Sequence, residues 1–245
     1  MTALLLLHGF TGSPRSWDFL PNQTTLPRQA PALVGHVGSG AGKEIVNFED
    51  EVDRLATLIP AAASAHVVGY SLGARLALGI ALLYPARVAQ LTLISGHPGL
   101  SSDTERSARR SSDAVWCDLL LTRGLSAFVD AWQAQPLWAS QSHLDDATLR
   151  QKRSERLSHD AAGLARSLRV TGLAEMPDYG ARLSELRMPV TLVAGALDTK
   201  FCALAQGMAE RLPHAVLKIV PQAGHDLLLE RHEFVTDVIQ TGNQS

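Results

Sequence analysis

The stretch HVVGYSLGARLAL, residues 66–78, decides the fold. Ser71 stands between Gly69 and Gly73, where a β-branched run gives way to one rich in alanine and leucine. G-x-S-x-G at such a junction is the pattern of a sharp strand-to-helix turn. The turn raises the serine hydroxyl above the carboxyl end of a sheet, and small neighbours let strand and helix approach closely. HVVG supplies the strand and LGARLALGIALL the helix. The same residues also suit a tight turn without chemistry, so the rest of the chain has to decide between the two.

Outward from this point, strand-like apolar runs recur at Ala3–Leu7, Ala32–Val34, His66–Gly69, Ala89–Ser95, Val190–Ala194 and Val216–Val220. Helix-period stretches lie between and after them, at Asn47–Ile59, Leu72–Tyr84, Phe201–Leu212 and Leu227–Gln240. The alternation predicts an α/β fold, a mostly parallel sheet with helices on both faces. From about Gly99 to Arg187 the strand signals vanish, and Arg, Ser, Asp, Leu and Trp recur at helical spacings. The expected organisation is therefore a core of residues 1–98 and 188–245 with a helical cap, 99–187, inserted in it. The first strand starts so near residue 1 that an antiparallel hairpin ahead of it is expected to be missing or much shortened.

Bulk properties narrow the function classes. A chain of 245 residues, 46% apolar and with a formal charge of −2, fits one sizeable globular domain with an inserted lobe. It lacks the basic excess of a nucleic-acid binder, and no apolar stretch is long enough to span a bilayer. MTALLLLHGF has no basic n-region and no small-residue cleavage site, so it reads as a buried strand. Cys117 and Cys202 are too few for a disulfide framework, which points to a reducing compartment and to packing roles. The expectation is a soluble cytoplasmic protein, a monomer or weak homo-oligomer, with neither membrane nor nucleic acid as partner. GHVGSGAGK at 35–43 fails as a phosphate loop, because Val37 replaces the first glycine and Glu44 follows Lys43. The nine histidines show no metal-ligand spacing, so no metal and no cofactor are implied.

Three further stretches favour chemistry at Ser71. LLLLHGFTGS (4–13) is a strand ending in His-Gly and then an aromatic, so the Phe10 N–H could join that of Leu72 in an oxyanion hole. VTLVAGALDTKF (190–201) sets Asp198 just beyond another strand, and KIVPQAGHDLL (218–228) sets His225 beyond the next. The order Ser, Asp, His is the one this kind of triad follows. A serine hydroxyl is nearly inert at neutral pH; an imidazole must take its proton, and a carboxylate must fix and support that imidazole. Ser71, His225 and Asp198 are the candidates, as a nucleophile or as a base.

On these residues the sequence resembles the α/β-hydrolase fold. More narrowly it is similar to the 2-succinyl-6-hydroxy-2,4-cyclohexadiene-1-carboxylate synthases of menaquinone biosynthesis. The likeness covers nearly the whole chain. It rests on LHGFTGS…W (7–17), GYSLGARLAL (69–78), GHPGL (96–100), ERSARRSSD (105–113), FVDAWQAQPLWAS (128–140), LRQKRS (149–154), GALDTKF (195–201) and AGH (223–225). Two departures stand out. Ala74 sits where the family often has glycine, and PALVGHVGSG stands where the pattern runs closer to DLPGHGGS, which suggests a remodelled loop near the pocket mouth.

A triad alone predicts a hydrolase, and the charges argue for something else. Arg75 follows Ser71 by one helical turn on nearly the same face, where a charge needs a reason. It either anchors an anion beside the reacting centre, or pairs with a carboxylate or reaches solvent. Arg106, Arg109 and Arg110 crowd one segment of the lobe, Arg153 lies in another, and Lys200 follows the acid by two residues. Guanidinium groups bind carboxylates in bidentate fashion, so a pocket lined by them suits a small polycarboxylate. The resemblance implies such a ligand, a cyclohexene bearing three carboxylates from which pyruvate is expelled without added water. It puts the triad at Ser71, Asp198 and His225, and substrate contacts at Tyr70, Arg75, Arg109, Trp132, Arg153 and Lys200. His97 is expected to line the site or to serve a turn. The alternatives are a serine hydrolase acting on small carboxylated esters or carbon–carbon bonds, and a non-enzymatic binder on the same fold.

Overall fold

The computed structural model describes residues 3–21 and 26–242; residues 1–2, 22–25 and 243–245 of the expected core lie outside it. Six parallel strands form one sheet in the order β2-β1-β3-β4-β5-β6: β1 Ala3–Leu7, β2 Arg28–Gln29, β3 Ala65–Tyr70, β4 Val88–Ile94, β5 Val190–Gly195 and β6 Ala215–Val220. Because every strand runs the same way, the residues after each strand collect along one edge of the sheet. That edge is where open α/β sheets hold their ligands.

The side-chain alternation of a strand sorts β1 between two apolar layers. Leu5 and Leu7 join Val67, Leu91, Leu93 and Leu192 against α1 (Phe48–Ala56), α2 (Leu72–Leu83) and α6 (Thr199–Ala209). Leu4 and Leu6 join Val68, Ile94 and Val193 on the other face, with Trp17, α7 (Leu227–Glu230) and α8 (His232–Gly242). Asn47 starts α1 with a capping box: its side chain accepts from the Asp50 N–H, and the Asp50 carboxylate accepts from the Asn47 N–H.

Two expected elements differ. Ala32–Val34 is no strand; the second strand is the two-residue pairing at Arg28–Gln29. The backbone N–H groups of Leu33 and Val34 go to the His8 imidazole and the Glu51 carboxylate, so they are not available to a ladder. The helix expected over Leu227–Gln240 is two helices, broken at Arg231 (φ −149°, ψ 49°).

Between β4 and β5 the chain is helical: α3 (Asp103–Gln133, bent at Gly124), α4 (Asp146–Leu157) and α5 (Ala161–Thr171), with short 3-10 turns. Cys117, Leu120, Phe128 and Val129 of α3 pack on Leu164, Ala165 and Leu168 of α5. This apolar seam meets the sheet edge through Phe10, which follows β1 and contacts Phe128 and Trp132. Among the described residues, no helix is long and apolar enough to cross a membrane.

Candidate active site

Ser71 joins β3 to α2 with φ 52° and ψ −106°, a left-handed conformation that costs a non-glycine residue about 1–3 kcal/mol. The glycines either side are required by space. A Cβ on Gly69 would come to 2.2 Å from the Gly73 carbonyl oxygen, and one on Gly73 to 2.0 Å from that of Leu7. The turn is held by the Ser71 N–H, which donates to the Ile94 carbonyl at 2.9 Å.

The Ser71 hydroxyl donates to His225 Nε2 at 3.0 Å, and His225 Nδ1–H donates to Asp198 Oδ2 at 2.7 Å. Asp198 is the N-cap of α6, its Oδ1 accepting the Phe201 N–H at 3.2 Å. His225 is buried, its ring set among Phe201, Tyr70 and Trp138 at centroid distances of 4.4, 5.7 and 5.7 Å. Its carbonyl accepts the Ser95 hydroxyl at 2.9 Å. Three residues from three strand ends thus form one continuous hydrogen-bonded chain.

Leu72 is the first residue of α2, so its N–H lies ahead of the helix's own ladder. Phe10 follows Gly9, whose missing side chain lets the loop close on β3: a Cβ there would lie 2.7 Å from the Tyr70 ring and 3.6 Å from Ser71 Cβ. Among the described residues no acceptor takes the Phe10 N–H.

A cavity of about 230 Å³ opens on Ser71 and His225. Its lining includes Arg75, Arg109, Lys200 and His97, with Trp132, Trp138 and Tyr70 among its aromatic walls, and none of its lining residues is Asp or Glu. Arg75 donates to the Thr171 carbonyl at 2.7 Å and, among the described residues, has no carboxylate partner. Burial, with Arg109 nearby, pulls its pKa down to about 9, which leaves it charged at neutral pH. Arg109 is held by Asp113 at 2.9 Å. His97 accepts the Gly99 N–H on Nδ1, so its proton sits on Nε2. Burial, then Arg75, Lys200 and Arg109, lowers its pKa to about 4 and keeps it neutral. Among the described residues, the buried indole N–H groups of Trp132 and Trp138 have no acceptor. A larger cleft, about 480 Å³ between α3 and α5, is lined by both signs of charge and holds no member of the Ser71–His225–Asp198 chain.

A family model described as "Alpha/beta hydrolase family" matches residues 4–238. The chain belongs to that family. A Bacillus subtilis (strain 168) protein provisionally named a 2-succinyl-6-hydroxy-2,4-cyclohexadiene-1-carboxylate synthase is 37% identical over 236 residues, covering 94% of this chain and 85% of that protein. The synthase of that name from Escherichia coli (strain K12) is 34% identical over 226 residues, covering 91% of this chain and 86% of its own. Among solved structures, MenH from S. aureus superposes with a TM-score of 0.92 at 28% identity, over 97% of this chain and 91% of that one. Within the alpha/beta hydrolase family, the chain belongs with these synthases.

Of the expected substrate contacts, Tyr70, Arg75, Arg109, Trp132 and Lys200 line the cavity and Arg153 does not. Arg153 is turned toward α3, where the Asp130 carboxylate takes it at 2.6 Å and the Gln133 amide oxygen at 3.0 Å. Arg156, three residues further along α4, is the inward arginine that sequence reasoning missed. It is 2% exposed, stacks over Trp138 at 5.2 Å, and among the described residues its Nε has no acceptor. The composition of RQKRSERL does not distinguish the two; only the seating of α4 does. Arg106 and Arg110 are spent elsewhere, on backbone carbonyls and on Glu175. The loop at 31–43, expected near the pocket mouth, contributes nothing to the lining.

Proposed function

We propose that this chain is a carbon–oxygen lyase of the 2-succinyl-6-hydroxy-2,4-cyclohexadiene-1-carboxylate synthase type. It would act on 2-succinyl-5-enolpyruvyl-6-hydroxy-3-cyclohexene-1-carboxylate in menaquinone biosynthesis. The observation that carries the reading is the pairing of an imidazole-linked serine with a cavity whose charged lining is wholly cationic. An ester pocket has no use for three unmatched or half-matched cations, whereas a tricarboxylate needs them.

In the mechanism this supports, the Ser71 oxygen removes the proton α to the succinyl carbonyl while its own proton passes to His225. The electron pair moves to the carbonyl oxygen, where the Phe10 and Leu72 N–H groups receive the charge. The enolate then returns its electrons through the ring, the bond to the enolpyruvyl oxygen breaks, and the fragment leaves as the enolate of pyruvate. That enolate becomes pyruvate on taking up one proton; the proton held by His225 balances it and resets the triad. Asp198 holds His225 in the tautomer able to accept and supports it once charged. Tyr70, Arg75, Arg109, Lys200 and Trp132 hold the substrate, and Arg156 behind Trp138 adds to the positive field. The carboxylates are neutralised by fixed cations, and no acyl-enzyme is formed.

The test is a coupled pyruvate assay on the intermediate itself. Wild-type protein releases pyruvate and the cyclohexadiene in equal amounts, and Ser71→Ala does not. A wild-type protein that turns over simple aryl esters and releases no pyruvate overturns the assignment in favour of a hydrolase.

A further inference from the structure

Three buried histidines outside the reacting chain meet under the loop that carries Phe10. His8 and His36 lie 4.8 Å apart between ring centroids, and His36 and His159 5.2 Å apart, both edge to face. They come from three places: the end of β1, the 31–43 loop, and the join between α4 and α5. Each ring is bonded to backbone on both nitrogens, so each tautomer is fixed. His8 Nδ1–H donates to the Gly9 carbonyl at 2.8 Å, and its Nε2 accepts the Leu33 N–H at 3.2 Å. His36 Nε2 accepts the Thr11 N–H at 3.2 Å, and its Nδ1–H donates to the Val34 carbonyl at 3.2 Å. His159 Nε2–H donates to the Thr11 carbonyl at 3.2 Å, and its Nδ1 accepts the Val37 N–H at 3.3 Å.

The consequence for the reaction lies in one peptide plane. The Gly9 carbonyl and the Phe10 N–H belong to the same trans peptide and point in opposite directions. Fixing the carbonyl therefore aims the N–H. His8 Nδ1–H and the Gly12 N–H both hold that carbonyl, the latter at 3.0 Å. Thr11, next along, sits at φ +63°, and its N–H and carbonyl are each held by an imidazole. We propose that His8, His36 and His159 are positioning residues that aim the Phe10 N–H at the developing oxyanion and tie that aim to the seating of the cap. The proposal rests on the reading of Phe10 as an oxyanion donor.

All three rings stay neutral, as the bonding pattern requires. Burial lowers His8 to about 4, lowers His36 well below the usual histidine value, and lowers His159. Lys152 and Glu155 of α4 are the charged groups facing His8 and His159, and they act in opposite directions.

Two experiments test the array. In wild-type protein at neutral pH, long-range proton–nitrogen spectra of labelled histidines should find the proton on Nδ1 of His8 and His36 and on Nε2 of His159. Any other tautomer among the three overturns the array without need of a variant. Second, His159→Leu should lower kcat for pyruvate release on the order of tenfold, with KM moving less than about threefold. That loss is smaller than the roughly hundredfold or more that deleting an oxyanion donor costs. His159→Gln, which keeps an N–H donor at the reach of Nε2, should recover most of it. The rate at which a fluorophosphonate labels Ser71 should fall and recover in parallel, since phosphonylation also builds charge toward the oxyanion hole. Labelling needs no native substrate, so a wild-type protein inactive in the pyruvate assay refutes the proposed function while the labelling series still judges the array. Equal labelling rates in wild type and a folded His159→Leu refute the array alone.

Discussion

Replacing Asp198 by Asn removes a charge, keeps the shape, and sets up a conflict that the geometry resolves. Both carboxylate oxygens are committed as acceptors, one from His225 Nδ1–H at 2.7 Å and one from the Phe201 N–H at 3.2 Å. An amide offers one acceptor and one donor. With its oxygen toward His225, its NH₂ opposes the Phe201 N–H, leaving buried donors unsatisfied at about 1–3 kcal/mol. With its NH₂ toward His225, every bond is kept, but the imidazole must carry its proton on Nε2 and cannot accept from Ser71. The unproductive arrangement therefore dominates by roughly 5- to 150-fold. The productive remainder also lacks the charge that supports the imidazolium, worth about another 1.5–3 kcal/mol. Together these put the loss in kcat at about 10²- to 10⁴-fold. KM should hardly change, because Asp198 is absent from the cavity wall. The assay is pyruvate release coupled to NADH oxidation by lactate dehydrogenase. An Asp198→Asn variant within tenfold of wild-type kcat would refute the role given to this carboxylate.

Arg75→Met should cost about 1.5–3 kcal/mol of carboxylate binding, read as a roughly 10- to 100-fold lower kcat/KM; Arg153→Met, which breaks a half-exposed pair between α4 and α3, should cost less than about 1 kcal/mol in stability and leave kcat/KM unchanged. Gly73→Ala forces β1 and α2 apart at the Leu7 carbonyl, so a urea titration should show a loss of about 1–3 kcal/mol or more together with lost activity, and an unchanged midpoint would contradict the close approach. Acid should destabilise the fold below the unfolded histidine pKa of about 6.5. His8 and His97, both lowered to about 4, stay neutral in the native state while the unfolded chain binds protons. Stability is thus full above that value and falls by up to about 1.4 kcal/mol per pH unit for each group as pH drops toward 4. Burial is the main cause of both low values; around His8 the charges of Lys152 and Glu155 oppose each other, and around His97 those of Arg75, Lys200 and Arg109 lower the pKa further. A urea midpoint that does not move between neutral pH and about 4.5 would count against both buried neutral rings.

The sheet was legible because hydrophobic periodicity marks strands buried on both faces, and the all-parallel order follows from helices between them. Ser71, Asp198 and His225 were legible because each follows a strand by at most five residues, and parallel strands bring their carboxyl ends together. Ala32–Val34 misled because its apolar side chains are buried like a strand's, while its N–H groups are taken by His8 and Glu51, a long-range fact that no local pattern carries. The break at Arg231 was hidden for the opposite reason, since the apolar period of α7 and α8 continues across it. Arg153 and Arg156 lie about 60° apart around α4, within the uncertainty of where any isolated helix settles. The histidine array was invisible because its members lie far apart in sequence, at 8, 36 and 159.

The central claim is that Ser71 works as a base in a cationic pocket and that water takes no part in bond breaking. Running the reaction in heavy-oxygen water and weighing the ring product tests it directly. Elimination predicts a cyclohexadiene carboxylate with no labelled oxygen beyond what a no-enzyme exchange control acquires, whereas a product carrying one labelled oxygen from solvent in excess of that control would contradict it.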